Sequence, residues 1–259
     1  MTWKRFVAIG DSFTEGLDDL GTNGLYVGWA DRVSETLATQ DEEFTYANLA
    51  IRGRRLDDIL GPQLDRALEM EPDLVSIVGG GNDMLRPRWD LPTLAMKIED
   101  SVARTRASGA DVILIGFPPM SGHSNLLGLT DNRNFALRQI AGRLTEEYGC
   151  YYVDLWGEAI FRDKRVWAPD RLHMSSEGHR RVAGAVLQTL GMGDSKWRLP
   201  LPPQDGFGLV ERLERDVSWL VRHASPWVNR RLKGKSSGDE LLPKRETLHR
   251  VRVHKPIGN

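Results

Sequence analysis

Arg5-Phe6-Val7-Ala8-Ile9-Gly10 is a nearly unbroken apolar run that stops at a glycine and passes straight into Asp11-Ser12-Phe13-Thr14-Glu15-Gly16. A strand with one wet face alternates apolar and polar residues, whereas a run without alternation suits a strand buried on both faces of a parallel sheet. The same signature returns at Phe44 to Leu49, Leu74 to Val78, Val112 to Gly116 and Tyr151 to Leu155. Between these runs the apolar residues recur at helical spacing. Val27 to Leu37 sets Ala30, Val33 and Leu37 on one face, and Leu56 to Leu68 gathers Leu56, Ile59, Leu60, Leu64 and Leu68. Leu94 to Ala107, Asn132 to Tyr148 and Ser176 to Leu190 follow suit. Five rounds of strand then helix predict a three-layer α/β/α sandwich around a flavodoxin-like, five-stranded parallel sheet. Right-handed crossovers place every carboxyl end of these strands on one rim, where ligands of such folds bind.

The composition fits that reading. The chain has 259 residues, 40% hydrophobic and 27% charged, enough apolar material for a sizeable core and too much for a disordered chain. Its single cysteine, Cys150, excludes an internal disulfide and a Cys-rich metal site. The formal net charge of −1 gives no overall bias toward nucleic acid, but it hides an asymmetry. Residues 195–259 carry 14 Lys and Arg against 7 Asp and Glu, while residues 1–194 carry 21 against 29. An acidic body of 1–194 is thus followed by a basic extension, 195–259.

That extension opens with a Pro-rich connector, Trp197 to Pro203, that cannot be helical throughout. From Phe207, the residues Val210, Leu213, Val217, Leu220, Val221 and Ala224 predict an amphipathic helix ended by Pro226. Beyond Lys233, Gly234-Lys235-Ser236-Ser237-Gly238-Asp239 reads as a linker into a flexible basic tail. The helix has three readings: packing on the body, contact of Trp219 and Trp227 with an anionic membrane surface, or docking to a partner protein. The N-terminus lacks the apolar core of a secretory signal, and no run approaches the roughly 18 apolar residues of a membrane span. The expected location is cytoplasmic.

Three polar blocks stand out, two directly after predicted strands and one in a loop leading into the last helix of the body. Ser12 follows the first strand between glycines, a placement that suits a helix N-cap and a nucleophile equally. Gly79-Gly80-Gly81-Asn82-Asp83 follows the third strand. Its glycines admit a ligand close to the backbone, and the Asn82 amide is a neutral donor for an oxyanion; a tight turn would use the same residues. A phosphate loop lacks its Lys-Ser/Thr. Asp170-Arg171-Leu172-His173 sets an acid and an imidazole three residues apart, so that the acid can hold one ring nitrogen while the other takes a proton from a hydroxyl. Asp154 is a competing acid. Asp11 and Asp83 read as braces for their turns and His179 as a packing or capping residue, and His123 lies in a polar loop suited to substrate contact. Tyr26, Trp89, Trp156 and Trp167, on the rim loops, read equally as pocket lining or as packing. No group of His, Cys and carboxylates shows metal-ligand spacing.

Together these blocks resemble the SGNH hydrolase family, the GDSL esterases and lipases. Gly10-Asp11-Ser12, Gly53, Gly80-Gly81-Asn82-Asp83 and Asp170-Arg171-Leu172-His173 match its four blocks in order, with Phe13 in place of the family's Leu. The Gly-Asp-Ser-Phe-Thr-Glu-Gly form looks like a bacterial, actinobacterial branch. The resemblance implies a cofactor-free serine esterase acting on a small acyl or acetyl ester. Ser12 is then the nucleophile, His173 the general base, Asp170 its orienting acid, and Ser12, Gly53 and Asn82 the oxyanion hole. An acyltransferase with the same triad and a non-catalytic binding module on the same fold are the alternatives.

Overall fold

The structure is a computed structural model that describes residues 2–22, 24–122, 127–203, 238 and 240–252. All five predicted strands form: β1 (Arg5–Ile9), β2 (Thr45–Asn48), β3 (Leu74–Ile77), β4 (Asp111–Gly116) and β5 (Tyr151–Asp154). They are mutually parallel and lie in the order β5-β4-β3-β1-β2. The sheet nevertheless has six strands and is mixed, which corrects the expected five-stranded parallel sheet. The sixth, β6 (Arg245–Arg250), runs antiparallel against β2, with Thr45 opposite Arg250 and Tyr46 opposite His249. These residues were expected in a flexible tail. The free edge of β2 offers unpaired N–H and C=O groups, and pairing with them makes a strand of a segment that has no apolar face of its own. The amphipathic helix expected from Phe207 falls outside the described residues.

Helices cover both faces. Along β1, Phe6 and Ala8 join one apolar layer while Val7 and Ile9 join the other, and all four are fully buried. On the first face pack α2 (Gly28–Leu37) and α8 (Ser176–Thr189), through Trp29, Val33, Val182 and Val186. On the second lie α6 (Leu91–Ala107), α7 (Asp131–Tyr148) and the helical stretch from Leu56 to Leu68. That stretch is read correctly as helical, but it is not uniform. α3 (Leu56–Asp58) passes through a π-helical segment at Ile59–Gln63, containing Pro62, into α4 (Leu64–Leu68). Among the described residues no helix is long and apolar enough to cross a membrane.

The strand order reverses between β1 and β3, where the chain first winds one way from β1 and then the other. Such a switch point opens a crevice at the carboxyl ends of the two strands. Two short helices start there: α1 (Ser12–Glu15) directly after β1 and α5 (Gly81–Met84) directly after β3.

Candidate active site

The turn out of β1 is clamped from two sides. The Gln63 side chain accepts from the Gly10 N–H at 2.8 Å and donates back to the Gly10 carbonyl at 3.0 Å. A Cβ at Gly10 would come within 2.5 Å of Thr14 Oγ1 and 2.6 Å of the Val78 carbonyl, so no side chain fits where β1 meets α1. Asp11, not Ser12, caps α1: its carboxylate accepts from the Phe13 N–H at 3.1 Å. That leaves Ser12 as the first residue of the helix with its hydroxyl free for another partner. Phe13 is wedged among Trp29, Phe117 and His179, with ring centroids 5.2 to 6.2 Å away, so the larger ring in place of Leu is absorbed by packing.

The partner comes from 161 residues away. Ser12 Oγ lies 3.0 Å from His173 Nε2, and His173 Nδ1 lies 2.5 Å from Asp170 Oδ2. The other oxygen of Asp170 accepts from the backbone N–H groups of Leu172 and His173, each at 3.0 Å. The intervening Arg171 takes φ +60°, which folds the Asp170–His173 turn tightly enough for the acid to meet its neighbour's ring. A carboxylate facing Nδ1 requires the proton there, so the Nε2 lone pair faces the Ser12 hydroxyl, which donates to it.

The electrostatics agree with this arrangement. Burial pushes the Asp170 carboxyl up, but its bonds from and attraction to His173 outweigh this and hold it at about 2. Burial pushes the His173 imidazole down, and Asp170, Asp18 and Asp11 together leave it above the ordinary 6.5. Asp18 carries no signal in the sequence that would single it out. It takes φ +70° and reaches His173 Nδ1 at 3.6 Å, so two carboxylates flank one ring nitrogen. Asp18, Asp170 and His173 are also close enough together to hold a metal ion, although each ligand atom already faces the others.

Asn82 arrives on α5, entered through Gly80 at φ +103°. Its amide nitrogen donates to the Arg54 carbonyl at 3.0 Å and to Asp11 Oδ2 at 3.3 Å. Asp83 accepts from the Leu56 N–H at 3.0 Å and so ties α5 to α3, the bracing role expected of it. Asp11 is almost fully buried, and burial lifts its carboxyl to about 6 despite the Phe13 amide and the nearby His173. Gly53 sits at φ +78° in the turn after β2, one residue after Arg52, whose N–H and guanidinium are both held by the Glu15 carboxylate of α1. Asn82 is thus bonded directly to Asp11, and the residues on either side of Gly53 are bonded to Glu15 and Asn82.

The remaining candidates are occupied elsewhere. Asp154 pairs with Arg138 at 2.6 Å, which leaves Asp170 as the acid beside His173. His179 is fully buried on α8, touches the Leu17 carbonyl at 3.3 Å, and is pushed by burial down to about 4. Trp167 is core, Tyr26 lies under Arg52, Trp89 under Arg133, and Trp156 against Phe135. His123 is outside the described residues.

A serine, an imidazole and an acid in series beside the switch point of the sheet are the layout of an α/β-type ester-bond hydrolase. The chain belongs to the GDSL-like lipase/acylhydrolase family, whose profile matches residues 8–181. Several solved structures share the fold. LAE5, an alpha/beta hydrolase enzyme from the metagenome of Lake Arreo, Spain, superposes with a TM-score of 0.63 at 21% identity, covering 74% of this chain and 97% of its own. A catalytic mutant of Axe2, an acetylxylan esterase from Geobacillus stearothermophilus, gives 0.62 at 20% identity with the same coverage. TesA gives 0.59 at 24% identity, covering 72% of this chain and 98% of its own. No curated protein sequence matches the chain.

Proposed function

We propose that the protein is a serine esterase that cleaves a small acyl ester, an acetyl ester in the first instance, through an acyl-enzyme formed on Ser12. The observation that carries this reading is the unbroken series Ser12 Oγ to His173 Nε2 at 3.0 Å and His173 Nδ1 to Asp170 at 2.5 Å. His173 takes the Ser12 proton as Oγ attacks the ester carbonyl, then gives it to the departing alcohol. Water repeats the sequence on the acyl-enzyme. Asp170 holds the imidazole in the one tautomer that can accept from Ser12 and stabilises the imidazolium that forms.

The tetrahedral oxyanion would be held by the N–H groups of Ser12 and Gly53 and by the Asn82 amide. Asn82 has two amide protons, and both meet acceptors in the resting site. The longer bond, 3.3 Å to Asp11, is the weaker, and it is the one an oxyanion would draw away. The preference for a short acyl group is supported by the acetylxylan esterase among the similar structures. Catalytic mutants of that enzyme with a serine, a histidine or an aspartate replaced are among them as well. The reaction needs no cofactor.

The test is p-nitrophenyl acetate hydrolysis with Ser12→Ala as control. Nitrophenol release that depends on Ser12, with a fluorophosphonate label on Ser12 alone, is the expected result. Equal release by both proteins would make the fold a binding module.

A further inference from the structure

The cation at residue 244 lies outside the family match, which ends at residue 181, yet it reaches the turn that carries Ser12. Lys244 stands just before β6. Its ammonium donates to the Glu15 carbonyl at 2.6 Å and to the Tyr26 and Val27 carbonyls at 3.0 Å each, and it pairs with Asp31 of α2 in a short contact. Only 12% of the side chain is exposed. The carbonyls come from two segments that touch. Glu15 ends α1, and Tyr26 and Val27 lead into α2. Between them Gly16 (φ +88°) and Gly28 (φ +72°) cross so closely that a Cβ on either would lie 2.6 Å from the other's Cα.

A buried ammonium shares its three protons among three carbonyls and one carboxylate here, and in a dry site its charge is satisfied only while those acceptors stay gathered around it. One of the four belongs to Glu15. That residue's own carboxylate holds the Arg52 N–H at 2.8 Å, immediately before Gly53. Asn48 fastens the preceding residue in the same way, donating to the Thr14 carbonyl at 2.9 Å. The carbonyls at the end of α1 therefore have partners from β2 and from the residue just before β6, and neither partner belongs to the series of Ser12, His173 and Asp170.

We propose that Lys244 is a positioning residue for the candidate site: the C-terminal segment reaches back across the sheet edge and locks α1, and with it Ser12 and Gly53, into place. The proposal rests on the esterase reading of Ser12. It makes turnover depend on a residue 229 positions beyond the helix it holds.

The test uses the full chain with Lys244→Met combined with Asp31→Asn, so that no buried carboxylate is left unpaired, alongside Val186→Ala on α8 as a destabilised control that makes no bond to Lys244 or Asp31. Two measurements are made well below the unfolding temperature of each protein. In the first, kcat for p-nitrophenyl acetate should fall at least tenfold in the double variant with KM within twofold, while Val186→Ala keeps its kcat. In the second, hydrogen exchange at the Gly16 and Leu17 amides, which both bond to the Ser12 carbonyl at 3.1 Å, should speed up at least tenfold without change in α8. A double variant with kcat within twofold of wild type overturns the proposal. If wild type itself shows no Ser12-dependent release, the esterase reading has failed, and the exchange measurement alone then decides whether Lys244 holds the turn: unchanged exchange overturns it.

Discussion

Asn82 donates an amide proton to Asp11 across 3.3 Å, joining residues 71 apart that follow the two strands on either side of the switch point. The bond sets the α5 amide beside the helix that starts with Ser12. In the proposed reaction the oxyanion and the Asp11 carboxylate would compete for that proton.

Asn82→Ala should lower kcat for p-nitrophenyl acetate by about 10²–10³-fold, the usual cost of one oxyanion donor. The fold should persist, because Gly80, Asp83 and Leu56 hold α5 independently. Wild-type turnover with native circular dichroism would remove Asn82 from the site.

Asp170 and Asp18 both face His173 Nδ1, at 2.5 and 3.6 Å, and Asp170 is also fixed by two backbone amides. Asp170→Asn should cost about 10⁴ in kcat, as loss of the tautomer-setting acid does elsewhere. Asp18→Asn should cost less than tenfold. Steady-state kinetics on the two variants decide the matter, and the reverse order would make Asp18 the orienting acid.

The acidic limb of kcat/KM should have its midpoint above 6.5, since the free-enzyme imidazole must be neutral to accept a proton and its carboxylate neighbours hold it protonated. Asp170→Asn should move that midpoint to lower pH. Stability follows the same groups. The His173 contribution is complete below about 6.5 and is lost as pH rises through its raised folded value. The Asp170 contribution is complete above about 4 and disappears as pH falls toward about 2. Urea unfolding across pH 2–9 would show both.

Asp11 behaves in the opposite sense. Its folded carboxyl, raised by burial to about 6, is harder to ionise than in the unfolded chain, so stability is lost as pH rises from about 4 to about 6. Asp11→Asn removes that charge and keeps one acceptor oxygen for the Phe13 N–H, while its amide nitrogen replaces the oxygen that faces Asn82. The variant should be more stable than wild type at pH 8 by up to about 3 kcal/mol, with the difference gone below pH 4. Identical unfolding midpoints for variant and wild type at both pH values would show that burial does not raise the Asp11 carboxyl.

Much of this was legible along the chain. The five apolar runs mark five parallel strands to within a residue or two, because a strand covered on both faces leaves no room for polar alternation. The Gly-Asp-Ser and Asp-x-x-His blocks name Ser12, Asp170 and His173, and the fold brings those three into contact. Other features have no local signal. Arg245-Glu246-Thr247-Leu248-His249-Arg250 reads as solvated tail, and it is a strand only because β2 presents a free edge. Gln63 and Lys244 look like ordinary surface residues in sequence, and the π-helical turn at Pro62 hides within a regular helical period. The division of labour between Asp11 and Ser12 is equally silent, since either residue type makes a good cap.

By itself, then, the sequence determined the alternation of buried strands and covering helices and the reactive groups that stand at the strand ends. These follow from burial and from the chemistry of individual side chains, which act over a few residues. The tertiary structure alone decided that His173 reaches Ser12, that Asp18 joins the site, and that Lys244 and β6 bond the end of α1 and the edge of β2. Those depend on distances between segments more than a hundred residues apart, set by strand order and by the need of each buried polar group for a partner.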